Sequence, residues 1–228
     1  MKTTGNRAHY DRQLRALREN LLLLGSMVEK SVQQAVEALR NRNIVAAQRV
    51  VEDDGQIDGL SYRLEEDALL LIATQQPMAS DLRVIAAGLF IASELERMGD
   101  YAEGIAKIAL RLASEEPIKP LVDIPRMAEV ATEMLHQSLD AFVHRDLEAC
   151  RRIWERDDEV DALYNQVYRE LLTFMLSDPK TIEPATLLLW ASHNLERIAD
   201  RVTNICERTA FVITGNPRVL QAAGFGTA

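Results

Sequence analysis

The sequence contains one acidic motif twice. "LERMGD" occupies Leu95–Asp100 and "LERIAD" occupies Leu195–Asp200, an offset of 100 residues. Each motif places a glutamate four residues before an aspartate, and on a helix this spacing makes the two carboxylates like-charge neighbours. Each such pair costs about 0.2–0.5 kcal/mol of helix stability. Because the sequence repeats this cost, we expect a compensating interaction at each copy.

A second pair of acids precedes each motif. Asp54 and Asp58 in "DGQIDGLSY" correspond to Asp157 and Asp161 in "DDEVDALYN", at an offset of 103 residues. The two offsets differ by three residues, so one connection is shorter in the second copy while both acid pairs are kept. This pattern indicates an internal duplication of three helices each.

The duplicated carboxylates have two interpretations. Clustered charge usually marks a solvated face, here balanced by arginines. The alternative is a cation site, since hard and borderline cations take carboxylate oxygens. Two helices that each offer two acids would supply four ligands, and a bound cation would remove the repulsion. The pattern leaves both interpretations open and does not identify a metal.

Helices must position these acids. Gly (10) and Pro (7) are few, which favours helix, and no stretch alternates as a strand does. Turn signals separate six predicted helices, at residues 10–40, 44–74, 80–114, 125–144, 146–176 and 185–214. "GNP" at Gly215–Pro217 ends the sixth helix, and the tail "AAGFGTA" beyond it is expected to fray.

The predicted fold is all-α, with two pseudo-repeated three-helix bundles at residues 1–116 and 117–228. Apolar residues recur every three or four positions in the helices that carry the acids, which predicts their buried faces. The stripe of the third helix is Val84, Gly88, Ile91, Leu95, Met98, Ala102, Ile105, Ala109 and Leu112; that of the sixth is Leu188, Ala191, Leu195, Ile198, Val202, Ile205 and Val212. The acids lie off these stripes, where neighbouring helices meet.

Composition narrows the class of protein. A net charge of −9 argues against a nucleic-acid partner. Cys150 and Cys206 are expected to be reduced thiols. No signal peptide and no apolar run of membrane-spanning length is present, so we expect a cytoplasmic protein without membrane insertion. No phosphate loop, nucleophile elbow or Cys/His cluster occurs, so we expect no enzyme activity.

Two other classes remain as alternatives. A ferritin-like di-metal oxidase or storage protein needs Glu-x-x-His on two helices, facing the bundle interior. "EMLH" at Glu133–His136 is one match, without a partner copy. A purely structural helical scaffold would depend on no metal at all.

Three segments, "QQPMASDLRVI", "LERMGDYAEGIAKIA" and "LERIADRVTNICERTAFVITG", resemble the PhoU family of regulators of bacterial phosphate uptake. The resemblance covers nearly the whole chain. It implies a homodimer and multinuclear clusters of iron, zinc, manganese or magnesium on the surface of each bundle. The ligands that it implies are Asp54, Asp58, Glu96 and Asp100 in the first half, and Asp157, Asp161, Glu196 and Asp200 in the second.

The resemblance also implies a function. Such a protein would restrain the phosphate-starvation (Pho) regulon and phosphate uptake, acting between a phosphate ABC transporter with its ATPase and a sensor histidine kinase. It would be cytoplasmic and peripheral to the inner membrane through these partners. The two copies depart from one another where Glu94 is replaced by Asn194 and Glu103 by Thr203, and Asn204 and Glu207 are candidate extra ligands in the second half.

Overall fold

The computed structural model describes residues 3–216 and 218–220, with side chains from residue 8 onward. Within these residues the chain forms six long helices and no strand, which confirms the predicted all-α class. The helices are α1 (Thr3–Asn41), α2 (Ile44–Gln75), α3 (Ala79–Leu112), α4 (Asp123–His144), α5 (Leu147–Ser177) and α6 (Ile182–Thr214). None of them is long and apolar enough to cross a membrane.

The predicted helix boundaries differ from the observed ones mainly at three ends. Helix α1 begins at Thr3, earlier than expected, and α3 ends at Leu112 rather than at residue 114. Helix α6 begins at Ile182 because Pro184 lies in its first turn, where a missing amide hydrogen costs no helical hydrogen bond. Gly215 caps α6 in the left-handed conformation, as expected. The tail expected to fray, "AAGFGTA", lies outside the described residues.

The duplication is visible in the way the helices begin. Asn43 precedes α2 and Asp146 precedes α5, and the side chain of each accepts a hydrogen bond from the backbone amide three residues later, at 3.0 and 2.9 Å. These side chains satisfy amides that have no partner within the helix. The same local chemistry therefore starts the second helix of both halves.

Each half is a three-helix bundle, and the two bundles join through equivalent helices. Helices α1, α2 and α3 pack on one another, as do α4, α5 and α6, while α3 contacts α6 and α1 contacts α4. The predicted apolar stripes of α3 and α6 are buried. The boundary between residues 116 and 117 falls in the segment that joins α3 to α4, and it stays a prediction.

The interface between the bundles contains polar groups as well as apolar ones. Glu94 on α3 is only 3% exposed, and its Oε2 accepts hydrogen bonds from Asn204 at 3.1 Å and from Arg201 at 3.4 Å on α6. A buried carboxylate without such partners would be strongly destabilising. Asn204 and Arg201 thus satisfy this buried acid of α3, and the contact links the two halves.

The two cysteines lie side by side inside the second bundle. Cys150 on α5 and Cys206 on α6 are both free and buried. A hydrogen bond with Cys150, together with burial, raises the pKa of the Cys206 thiol well above its usual value. The pair thus bridges two helices as packed thiols, the state expected from the sequence.

Two glycines provide a test of the packing between the bundles. Gly25 on α1 is buried, and a Cβ atom there would collide with the Leu139 side chain on α4. Gly55 on α2 is exposed, and a Cβ atom there would meet nothing. We expect Gly55→Ala to raise the free energy of unfolding by about 0.5–1 kcal/mol through helix propensity.

Gly25→Ala gains the same propensity but is expected to lower the free energy of unfolding, because overpacking costs about 1–3 kcal/mol. Urea unfolding followed by circular dichroism measures both variants. Equal stabilisation by the two substitutions would show that α1 and α4 do not approach closely at Gly25.

Candidate metal centre

The first acidic cluster forms where α2 and α3 lie side by side. Asp54 and Asp58 come from α2 and Asp100 comes from α3, and one oxygen from each lies within 4.8 Å of the others. Glu96, one turn before Asp100, is outside this tight group. Burial, and then the nearby charges of Asp100 and Asp58, raise the pKa of Glu96. Of the four acids expected in this half, the structure brings three tightly together.

A glycine brings α2 close to α3 at this cluster. Gly99 is buried on α3, and a Cβ atom there would lie 3.0 Å from Ile57 Cγ2 and 3.3 Å from Asp54 Oδ1. Such contacts are tighter than a well-packed core accepts without adjustment. The residue at the equivalent position in the second half is Ala199. The missing methyl group therefore leaves room for Ile57 and Asp54 of α2 beside α3.

Burial and like charge disfavour ionisation in this cluster. Burial is the largest effect on Asp54, followed by the charges of Asp58 and Glu103, and together they raise its pKa to about 6. The pKa of Asp100 is also raised, by burial and then by Asp58 and Glu103. Glu103 lies near the acids but pairs with Lys107 at 2.6 Å. The carboxylates of the first cluster therefore repel one another when they are ionised.

One atom in the first cluster lacks a partner. Asp54 Oδ1 is buried and accepts no hydrogen bond within the described part of the chain. A buried carboxylate oxygen without a donor is costly, and a cation held between Asp54, Asp58 and Asp100 would satisfy it. Three oxygen donors suit hard or borderline cations. The residues present thus fit a metal ion of the kind that the family resemblance implies.

The second acidic cluster occupies the equivalent place between α5 and α6. Asp157 and Asp161 come from α5, and Glu196 and Asp200 come from α6. Burial, then the charges of Asp161, Asp200 and Glu196, raise the pKa of Asp157 to about 7. Burial and Asp200 likewise raise the pKa values of Asp161 and Glu196. All four predicted acids of this half therefore interact.

The second cluster differs from the first because an arginine pairs directly with one of its acids. Arg197 Nη1 lies 3.0 Å from Asp200 Oδ2. His193 Nδ1 lies 3.2 Å from Glu196 Oε2, although this buried oxygen is not aligned to accept a hydrogen bond. Among the described residues, no three ligand atoms of this cluster converge as tightly as those of the first. Arg197, three residues before Asp200, thus partly neutralises it.

Several sequence-based expectations about neighbouring residues change. The sequence suggests an effect of Glu94 on the first metal site and predicts Asn204 as a candidate extra ligand of the second. Both lie instead at the interface between the bundles, bonded to each other at 3.1 Å. Glu207 lies near Cys206, whose pKa it helps to raise. Glu103 lies three residues after Asp100 on the same face of α3. Helical spacing alone therefore predicts that it lies near the first cluster.

The ferritin-like alternative finds no support in the geometry of "EMLH". Glu133 and His136 are both exposed on α4. Glu133 pairs with Arg156 at 2.9 Å, and His136 lies 3.3 Å from Glu29. A di-metal site of that class needs these side chains inside the bundle. The motif is instead part of a surface ion-pair network.

The repeated bundles with acid pairs on paired helices define the chain as a duplicated, all-α protein. A family model described as the PhoU domain matches residues 21–109 and again residues 124–209. The chain therefore belongs to the PhoU family, as its motifs indicated.

Two relatives are each named phosphate-specific transport system accessory protein PhoU homolog. The Rhizobium meliloti relative is 40% identical, over 90% of this chain and 87% of its own. The Caulobacter vibrioides relative is 42% identical, over 90% of each.

Solved structures have the same fold. A crystal structure of PhoU from Pseudomonas aeruginosa matches with a TM-score of 0.87 and 34% identity, covering 91% of this chain and all of the other. The phosphate transport system regulatory protein PhoU from Streptococcus pneumoniae matches with a TM-score of 0.84 and 29% identity, covering 91% and 98%. The two-bundle architecture predicted from the sequence is thus that of the family.

The acidic clusters predict how the stability of metal-free protein depends on pH. The folded-state pKa values of about 6 for Asp54 and about 7 for Asp157 exceed the usual aspartate value of roughly 4. Between these limits the folded state holds protons that the unfolded state has released, so stability falls as pH rises. Urea unfolding in the presence of chelator should therefore show lower stability at pH 8 than at pH 5.

A matched pair of substitutions isolates this effect. Asp54→Asn should stabilise metal-free protein at pH 8, where the native carboxylate is charged, and change little at pH 5, where it is mostly protonated. The adjacent Asp53 is exposed, and Asp53→Asn serves as the control that leaves the pH dependence unchanged. Identical pH profiles for both variants would show that the cluster does not disfavour charge on Asp54.

Proposed function

We propose that this chain is a non-catalytic accessory regulator of phosphate transport. The observation that carries the proposal is the similarity, over about nine-tenths of the chain, to proteins named phosphate-specific transport system accessory proteins. The described residues supply rigid helices and acidic surfaces, which suit an interaction protein. In this role the chain restrains phosphate uptake and the phosphate-starvation regulon when phosphate is plentiful.

The proposed partners follow from the same family membership. The chain acts in the cytoplasm between the ATPase of a phosphate ABC transporter and a sensor histidine kinase, and it reaches the inner membrane through these proteins. A homodimer is part of the proposal. Neither partner contact involves nucleic acid, which agrees with the net charge of −9.

We further propose that the acidic clusters bind metal ions. Asp54, Asp58, Asp100 and the neighbouring Glu96 would hold the first, and Asp157, Asp161, Glu196 and Asp200 the second, with iron, zinc, manganese and magnesium as candidates. A bound cation supplies positive charge that offsets the repulsion among the carboxylates. It also links the second and third helices of each half. The unpartnered Oδ1 of Asp54 supports this role.

Deletion of the gene tests the regulatory role. Cells without the protein should express phosphate-scavenging genes, or take up phosphate without restraint, in phosphate-rich medium. Reporter expression and uptake of labelled phosphate measure these effects, and the intact gene supplied in trans should restore repression. Normal repression in the deletion strain would refute the proposal.

The combination Asp58→Asn with Asp100→Asn tests metal binding at the first cluster. In chelator, relief of repulsion should leave the free energy of unfolding unchanged or raise it by an amount on the order of a few tenths of a kcal/mol, so the melting temperature should stay the same or rise slightly. With metal present the same variant should melt lower than wild type, because its native state has lost ligands that stabilise it by mass action. Elemental analysis should show less bound metal.

The exposed Asp53 again offers a control, since Asp53→Asn removes a charge from α2 without touching the cluster. It should leave metal content and both melting temperatures close to those of wild type. If the double variant behaves in the same way, Asp58 and Asp100 are not ligands, and the clusters are solvated acidic faces.

A further inference from the structure

The contacts between α3 and α6 are reciprocal. Positions 100 residues apart occupy equivalent places in the two halves, so Glu94 corresponds to Asn194 and Tyr101 to Arg201. Arg201 Nη1 lies 3.4 Å from Glu94 Oε2, and in the equivalent contact Asn194 Nδ2 donates to the backbone oxygen of Tyr101 at 3.4 Å. The interface thus relates the halves approximately by a twofold axis while using different residue types.

This reciprocity gives Arg97 and Arg197 different neighbours. Arg197 lies near Tyr101 of the opposite bundle, whose hydroxyl raises the pKa of the guanidinium. The residue that corresponds to Tyr101 in the other half is Arg201, so Arg97 has no equivalent hydroxyl opposite it. The side chain of Arg97 is exposed and forms no ion pair with any residue that the structure describes, whereas Arg197 is partly buried and lies 3.0 Å from Asp200.

Tyr101 joins this contact to the buried network of the interface. Its hydroxyl lies 3.5 Å from Arg201 Nη2, and Arg201 in turn reaches Glu94. The Arg197 guanidinium therefore pairs with Asp200 of the second cluster and lies near a tyrosine of the opposite bundle. Tyr101 directly follows Asp100 of the first cluster in the sequence.

We propose that Arg197 acts as an internal counter-ion of the second cluster and makes it the weaker of the two metal sites. The inference rests on the proposed metal binding. A cation at Asp200 shares that carboxylate with the guanidinium and is repelled by its charge, whereas Asp100 has no arginine within ion-pair distance among the described residues.

Equilibrium titration with Mn²⁺ tests this proposal one cluster at a time. Asp58→Asn with Asp100→Asn leaves the second cluster intact, and Asp157→Asn with Asp161→Asn leaves the first. The first cluster should bind Mn²⁺ more tightly. In the protein that keeps the second cluster, Arg197→Gln should raise its affinity about tenfold, in line with the loss of one charge-assisted contact.

Two further variants separate the specific contact from general charge. Tyr101→Phe keeps the ring and removes the hydroxyl near the guanidinium, so it should raise the affinity of the second cluster by a smaller factor than Arg197→Gln does. Arg97→Gln is the matched control in the protein that keeps the first cluster. Because the charge of Arg97 is exposed and screened, that change should be less than about threefold.

Melting in chelator measures the counter-ion role without metal. Arg197→Gln should lower the melting temperature by about 2–4 °C, because Asp200 loses its partner, and Arg97→Gln should lower it less. Equal melting of these two variants overturns the counter-ion role.

The Mn²⁺ outcomes are equally distinct. Equal affinity of the two clusters, or no gain from Arg197→Gln, overturns this inference alone. Absence of bound Mn²⁺ at both clusters overturns the metal proposal together with it. The deletion experiment decides the regulatory role independently of either result.

Discussion

The packing of α3 against α6 is the constraint on which the arrangement of the molecule depends. Each of these helices also packs on the two other helices of its own bundle, so each is buried on more than one face. Full burial of a side chain such as Leu95 contributes about 1.5–3 kcal/mol. One acid pair on the same helix costs only about 0.2–0.5 kcal/mol. The fold therefore tolerates the acidic clusters, and repulsion is concentrated where α2 and α5 meet these helices.

The two acidic clusters have the same repeated acid pairs but different neighbouring residues. In the first, Gly99 leaves room for Asp54 beside α3, and three aspartate oxygens converge. In the second, Arg197 and His193 lie against the acids that they flank in sequence. Neither difference changes an acidic residue of the repeated pairs. The distinction arises from neighbours whose effect depends on which helix packs beside them.

The sequence predicted the elements governed by local periodicity and missed those governed by contacts between the halves. Six helices, their buried stripes and the pairing of acids followed from spacing along single helices, as Leu95 and Leu195 illustrate. The sequence suggests Asn204 as a ligand because its position on α6 gives no sign of Glu94, which lies 110 residues away in the chain. Arg97 and Arg197 each precede an aspartate by three residues, so spacing does not show that Arg197 forms an ion pair in the described structure while Arg97 does not. Helical spacing predicts only which residues share a face of one helix. The interface between the bundles adds a second buried face to α3 and α6, and its polar residues are scattered along the sequence.

The unequal residues at the α3–α6 contact make the halves non-interchangeable. If two first halves were paired through the same surface, each buried Glu94 would face Tyr101 and Gly104 instead of Arg201 and Asn204, and its charge would have no cationic partner. Such a buried, unpaired carboxylate costs several kcal/mol. Two second halves would place Arg201 against the neutral Asn194. The first and second halves of this chain therefore have complementary surfaces. Two identical halves would not pair stably through the same surface.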